Sequence, residues 1–282
     1  MQNTIKYIQS ELLGYYPENE IKSFGYLLVE KVTGFSRTQL IINSNYVFTE
    51  TQFKAVEAYI GGLKNFVPIQ YLLGETEFYG LQFCVNKAVL IPRPETEELV
   101  DWIVNDNNIK TELRILDIGT GSGCIAIALK SVFANANVDA FDISVEALQT
   151  ANINAKNNGL DVNFVELNIL DSNENLEKWD IIVSNPPYIP ELEKADILPN
   201  VLNYEPHIAL FVPDNDPLIF YRHIADFAKK HLFPNGKLYF EIHRDAGETT
   251  SNLLLDLGFT DVELRKDISG NNRMVKARYV NV

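Results

Sequence analysis

Ile115-Leu116-Asp117-Ile118 reads as a short buried strand, and Gly119-Thr120-Gly121-Ser122-Gly123 follows it at once and opens a helix. Glycine lets a backbone turn sharply and come close to a ligand, so a strand–glycine loop–helix unit points to a nucleotide-type site in a parallel sheet. A dinucleotide fingerprint would need a third glycine at position 124, which is Cys124. Asp117 ends the first strand, where a carboxylate sits badly beside a pyrophosphate but suits a ligand carrying an ammonium group. Asp142 follows Gly123 by 19 residues and ends a second strand, where it can accept from both ribose hydroxyls. The pair selects an adenosine with a cationic tail, S-adenosylmethionine. Asp117, Gly119, Thr120, Gly121, Ser122, Gly123 and Asp142 are the expected cofactor contacts. A merely structural strand–helix turn would not need the strand, loop, helix and second acid in register.

The rest of the chain agrees with such a sheet. Strand patterns at 113–118, 137–141, 162–167, 180–184, 236–242, 260–266 and 274–280 surround helical patterns at 122–133, 144–158, 216–231 and 246–257. Alternation of this kind predicts a parallel α/β sheet with helices on both faces. The last two strands are joined only by a Gly270-Asn271-Asn272 turn and should pair antiparallel at one edge.

The first part of the chain differs. Ile5, Ile8 and Leu12 fall at helical spacing, a second amphipathic pattern covers 19–33 and stops at Gly34, and Thr49 with Gln52 forms a capping box. Gly61-Gly62 is the expected stop of that third helix. Phe78-Tyr79-Gly80-Leu81-Gln82-Phe83 reads as strand–turn–strand. The expected domains are a helical module over 1–75, a hairpin linker over 76–90 and the α/β domain over 91–282. Charge divides the same way: residues 1–90 carry 7 basic and 8 acidic side chains and no Asp, so nearly all of the formal −14 lies beyond them. A surface this acidic disfavours non-specific binding to a phosphate backbone. Two cysteines, Cys84 and Cys124, make no redox or metal spacing, and the opening segment has no apolar core of signal-peptide length. A soluble cytoplasmic monomer without membrane contact is expected.

Asp180-Ile181-Ile182-Val183-Ser184-Asn185-Pro186-Pro187-Tyr188 carries the chemistry. An apolar strand ends at Asn185, and two prolines then remove two N–H donors. Ligands of doubly wound sheets bind beyond the carboxyl ends of the strands, so Asn185 should face the ligand of the glycine loop. A planar amide or amino nitrogen is a poor nucleophile because its lone pair is delocalised. Two acceptors, the Asn185 side-chain oxygen and the Pro186 carbonyl, can hold its two hydrogens, orient it and favour pyramidalisation. These two are the expected catalytic residues. Pro187 and Tyr188 complete the expected acceptor pocket with them.

With these motifs the chain resembles the protein-(glutamine-N5) methyltransferases of peptide chain release factors, the HemK/PrmC family, over nearly its whole length. Asn185-Pro186-Pro187-Tyr188 by itself would also fit methyltransferases of adenine or cytosine in nucleic acid. Pro68 to Glu75 with Phe78-Tyr79-Gly80, Leu90 to Glu97, Tyr204-Glu205-Pro206 with Ala209-Leu210, and Lys266-Asp267 with Gly270 and Arg273 are similar to further family motifs. The resemblance implies a small helical recognition domain and a hairpin linker before a Rossmann-like seven-stranded class I methyltransferase sheet with an antiparallel edge strand. It also implies S-adenosylmethionine as cofactor and class 1 release factors as partners, methylated on the glutamine of Gly-Gly-Gln. The adenine-holding pair after strand three appears as Asn168-Ile169. After strand five the family's Glu-Ile-Gly becomes Glu241-Ile242-His243-Arg244, and its glycine-rich run becomes Phe211-Val212-Pro213-Asp214.

Other readings are weaker. His207, His223, His231 and His243 share no metal-ligand spacing. Arg93 and Glu97 either line the cofactor mouth or form a helix-start ion pair. No Gly-x-Ser-x-Gly elbow surrounds Ser122, which disfavours a hydrolase. The rivals with the same chemistry are a glutamine methyltransferase of a ribosomal protein and an adenine-N6 methyltransferase of DNA or RNA. The second would need a basic recognition surface that neither half of the chain supplies. A dehydrogenase or a non-catalytic nucleotide-binding module does not account for Cys124 and the Asn-Pro-Pro-Tyr run.

Overall fold

The computed structural model describes residues 1–107, 112–171 and 177–280. They form two compact units, Met1–Gly74 with Leu198–Tyr204, and Glu75–Ile197 with Glu205–Val282.

The smaller unit is helical: α1 (Gln2–Leu12), α2 (Glu18–Thr33), α3 (Arg37–Ile42), α4 (Glu50–Lys64) and α5 (Ile69–Leu73). Ile5, Ile8, Leu12, Leu28, Val29, Val56, Ile60 and Leu63 form its core. Gly34 ends α2 in the left-handed region, its N–H donating to Glu30 O at 2.8 Å. The Thr49–Gln52 capping box opens α4, and a second box, Ser36–Gln39, opens α3. Gly61 and Gly62 do not stop α4, which continues to Lys64. A Cβ at Gly62 would lie 2.5 Å from Leu72 Cδ2, so this glycine admits α5 against α4 rather than ending the helix. The segment Leu198–Tyr204, read above as part of the α/β domain, contains α9 (Pro199–Leu202), and Tyr204 Oη donates to Asn65 O at 2.7 Å.

In the larger unit the hairpin strands Glu75–Phe78 and Leu81–Cys84 pair across Tyr79 and Gly80, at φ 52° and 73°, the left-handed pair that a two-residue turn needs. The main sheet has seven strands: β1 (Arg114–Ile118), β2 (Asn137–Asp142), β3 (Asn163–Glu166), β4 (Trp179–Ser184), β5 (Leu232–Glu241), β6 (Thr260–Lys266) and β7 (Asn272–Arg278). Their order is β6-β7-β5-β4-β1-β2-β3. β7 is antiparallel to both neighbours. The antiparallel strand therefore lies one place in from the edge, with β6 outermost, because a tight turn can return β7 only alongside β6 and the open side of β5 receives it.

One face of the sheet is covered by α6 (Pro94–Asn107), α7 (Cys124–Val132) and α8 (Val145–Asn157), with Leu99, Ile103, Ile127 and Leu129 in its core. The other is covered by α10 (Ile219–His231) and α11 (Gly247–Asp256), with Tyr221, Ile224, Ala228 and Leu254. The strand reversal that creates a crevice lies between β1 and β4. Their parallel register sets Ile118 opposite Ser184, so Gly119 and Asn185 leave the sheet side by side.

Candidate active site

Gly119, Gly121 and Gly123 all have positive φ, at 73°, 56° and 81°. Gly119 N and Thr120 N both donate to Phe141 O, at 2.8 and 3.0 Å, which straps the loop to the end of β2. A Cβ on Gly123 would meet Ile127 Cδ1 at 2.9 Å and Ala151 Cβ at 3.1 Å, so only glycine lets α7 pack here. Asp142 Oδ2 accepts from Gly121 N at 2.8 Å and Oδ1 from Ser144 N at 2.9 Å. The carboxylate is thereby aimed, and each oxygen keeps a further lone pair for a ligand. Burial raises its pKa, and those amide bonds pull the other way.

A cavity of about 280 Å³ opens above this loop. Gly119, Thr120, Gly121, Ser122 and Asp142 line it, as do Asn168, Ile169, Asn185, Pro186 and Pro187. Residues far apart in the chain are thus brought to one space. Ile143, Leu167, Ile169, Phe220 and Ile224 give it apolar walls, and among the described residues Asp142 and Arg93 are its charged lining. A flat aromatic base suits the apolar walls, and a vicinal diol suits Asp142. This chain's residues therefore fit an adenosine ligand.

Three expected contacts stand elsewhere. Asp117 does not line the cavity but is fully buried beneath it. Thr120 Oγ1 donates to its Oδ2 at 2.6 Å, and Oδ1 has no partner of good geometry. Burial pushes its pKa up to about 7, against the Thr120 and Ala126 hydrogen bonds, with the Asp142 charge adding to the rise. Gly123 is not in the lining either; it packs inward on α7 and α8. Tyr188 turns away from the cavity: its Oη donates to Glu241 Oε1 at 3.3 Å, and its ring lies 5.9 Å from His243. Asn168 does reach the lining, but Nδ2 donates to Asp171 Oδ2 at 2.6 Å and Oδ1 accepts from Leu170 N at 3.1 Å, a closed local turn.

The family description PrmC N-terminal domain matches residues 4–74, and Methyltransferase small domain matches residues 96–204. The release factor glutamine methyltransferase of Flavobacterium psychrophilum is 48% identical over 95% of this chain and 95% of its own length. The chain belongs to the release factor glutamine methyltransferase family. That of Bacteroides thetaiotaomicron is 42% identical over 98% of this chain and 99% of its own. A methyltransferase from Pyrococcus furiosus, 18% identical, shares the fold over 72% of this chain and 91% of its own, with a TM-score of 0.53. So does a T. thermophilus 16S rRNA methyltransferase solved with AdoMet and guanosine, 15% identical over 73% of this chain and 49% of its own, at 0.52.

Behind the cavity lining lies a second layer of hydrogen-bonded side chains. Beyond the helix start that Arg93 and Glu97 suggest, α6 runs on from Pro94 with Glu95 and Glu97 in its first turn and Leu99, Val100, Trp102 and Ile103 repeating at helical spacing. α6 brings Thr96 to the cavity, where Oγ1 accepts from Asn185 Nδ2 at 3.3 Å and donates to Glu241 Oε2 at 2.7 Å. Glu241, at the end of β5, is 1% exposed; burial raises its pKa, and Thr96, Tyr188 and the Arg273 charge pull it down. Arg93 lines the cavity and pairs with buried Glu205, Nη2 to Oε1 at 2.5 Å, and Glu205 also accepts from Ile91 N at 3.2 Å. Glu97 takes no part: its Oε1 accepts from Tyr79 N at 2.7 Å. Among the described residues no His, Cys, Asp or Glu cluster could hold a metal ion, and no helix is long and apolar enough to cross a membrane.

Proposed function

We propose that this chain transfers a methyl group from S-adenosylmethionine to the side-chain amide nitrogen of a glutamine in a peptide chain release factor, the glutamine of its Gly-Gly-Gln motif. The observation that carries this reading is the placement of Asn185 and Pro186 on the same cavity as the glycine loop and Asp142. Support also comes from the family membership and from the names of the relatives.

S-adenosylmethionine supplies, when bound, an electrophilic methyl group on a cationic sulfur. Asp142 would hold the ribose hydroxyls. Ile143, Ile169, Phe220 and Ile224 would enclose the adenine, and Arg93 would meet the carboxylate of the amino-acid end. Gly119 to Ser122 would lie against the middle of the ligand. Asp117 would act from below, by holding Thr120 and hence the loop. Asn185 Oδ1 and the Pro186 carbonyl would accept the two hydrogens of the glutamine amide. Those two acceptors orient the nitrogen and stabilise the positive charge that grows on it as the N–C bond forms. The extra proton leaves after transfer, so no strong base is required beforehand. Pro187 would close the acceptor side, and Tyr188 would support that segment from behind. The helical segment 1–75 would recognise the release factor, and the acidic remainder would attract a basic, RNA-binding protein.

The test is methyl transfer from isotope-labelled cofactor, with a release factor, a ribosomal protein fraction and naked DNA as parallel acceptors. Label on the Gly-Gly-Gln glutamine is expected. Label on DNA alone, or on ribosomal protein alone, overturns the proposed substrate.

A further inference from the structure

The side-chain amide of Asn185 could in principle face either way, and only one way works. Its oxygen must meet the two N–H bonds of the incoming glutamine; its own NH2 there would oppose donor to donor. The surrounding groups decide the orientation. Thr96 Oγ1 stands between Asn185 Nδ2, at 3.3 Å, and Glu241 Oε2, at 2.7 Å. A threonine hydroxyl has one proton, and the Glu241 carboxylate oxygen takes it as acceptor. The Thr96 proton therefore goes to Glu241. Thr96 Oγ1 can then only accept from Asn185, so the nitrogen of the Asn185 amide faces α6. Its oxygen is left for the cavity that Asn185 lines, and among the described residues nothing donates to it.

We propose that Thr96 and Glu241 are positioning residues that hold the Asn185 amide with its oxygen turned toward the acceptor nitrogen. The same carboxylate braces the far end of the motif, because its Oε1 accepts from Tyr188 Oη at 3.3 Å. Tyr221 Oη fixes the strand end by donating to Glu241 O at 3.2 Å. Arg273, held by Asp267 Oδ2 at 3.2 Å, supplies a positive charge that pulls the Glu241 pKa down against the larger rise from burial. One carboxylate on β5 thus governs both ends of Asn185–Tyr188. The inference deepens the proposed function and rests on it for the identity of the acceptor.

Thr96→Val keeps the shape and removes the hydroxyl; Thr96→Ser keeps the hydroxyl. The valine variant is expected to lower kcat by about tenfold or more, with cofactor Kd within about twofold. The serine variant is expected to keep most of the wild-type kcat. A second readout needs no turnover: in protein labelled at asparagine nitrogen, the Asn185 side-chain NH2 resonances, assigned with Asn185→Ala, should move in Thr96→Val and stay in Thr96→Ser. Unchanged kcat or unchanged resonances in Thr96→Val overturn the inference, as does equal damage in both variants. If the resonances behave as expected while wild-type protein leaves release factor unlabelled, the substrate reading has failed and the orientation stands.

Discussion

Asp117→Asn should change the pH dependence of stability more than it changes stability itself. Asp117 is fully buried, with a carboxyl pKa raised from the ordinary 3.8 to about 7. The folded state therefore holds this proton more tightly than the unfolded chain between those values. The resulting stability is fully present below about pH 4 and is lost as pH rises toward and through 7. A shift of about three units corresponds to roughly 4 kcal/mol over the full window. Between pH 5 and pH 8, where most of the change falls, it amounts to about 2–3 kcal/mol. Asparagine has the same shape and no titration. It can still accept from Thr120 Oγ1, and its buried NH2 adds a cost of about 1–3 kcal/mol that does not vary with pH. The assay is urea unfolding of wild type and variant at pH 5 and pH 8, without cofactor. Glu241 is common to both proteins and cancels in the difference; the Asp142 charge, the smallest of the causes acting on Asp117, is part of the effect measured. The variant should gain on wild type by about 2–3 kcal/mol from pH 5 to pH 8. A difference that is flat with pH would refute a neutral, buried Asp117.

Three further outcomes are expected. Asn185→Ala should abolish transfer while calorimetry still shows cofactor binding, because the lost contact is to the acceptor; lost binding with normal turnover at saturation would contradict the assigned role. Gly123→Ala places a Cβ 2.9 Å from Ile127 Cδ1 at a φ of 81° and should destabilise the fold by about 2 kcal/mol or more, read as a lowered Tm. Raising ionic strength should slow turnover on a release factor if the acidic domain attracts it; turnover indifferent to salt would show that the charge pattern has no part in recognition.

Cys124 illustrates how position decides chemistry. It opens α7 and lines the cavity, and a helix N-terminus is a setting that activates thiols elsewhere. Burial instead pushes its pKa up to about 12, with the Asp117 charge adding to the rise, so it stays a protonated, inert wall.

The strand–helix alternation, the glycine loop, Asp142 and the Asn185-Pro186-Pro187 run are legible in the order of residues. These are local signals: each depends on residues adjacent in the chain or on a repeat of fixed period. Tertiary structure alone decided the second layer. Thr96, Asn185 and Glu241 are 89 and 56 positions apart, on α6, the end of β4 and the end of β5, and no spacing rule links them. The same holds for Arg93 and Glu205, separated by 112 positions. It holds also for the fate of Asp117, whose local context suggests a ligand contact and whose packing buries it beneath Thr120. Gly62 makes the complementary point: beside Gly61 it reads as a helix stop, yet the approach of Leu72 makes it the place where two helices touch. Local patterns place backbone, because backbone geometry follows from neighbours in the chain. Which way a buried carboxylate or amide turns depends on donors and acceptors supplied by distant elements, and these meet only when the sheet has formed.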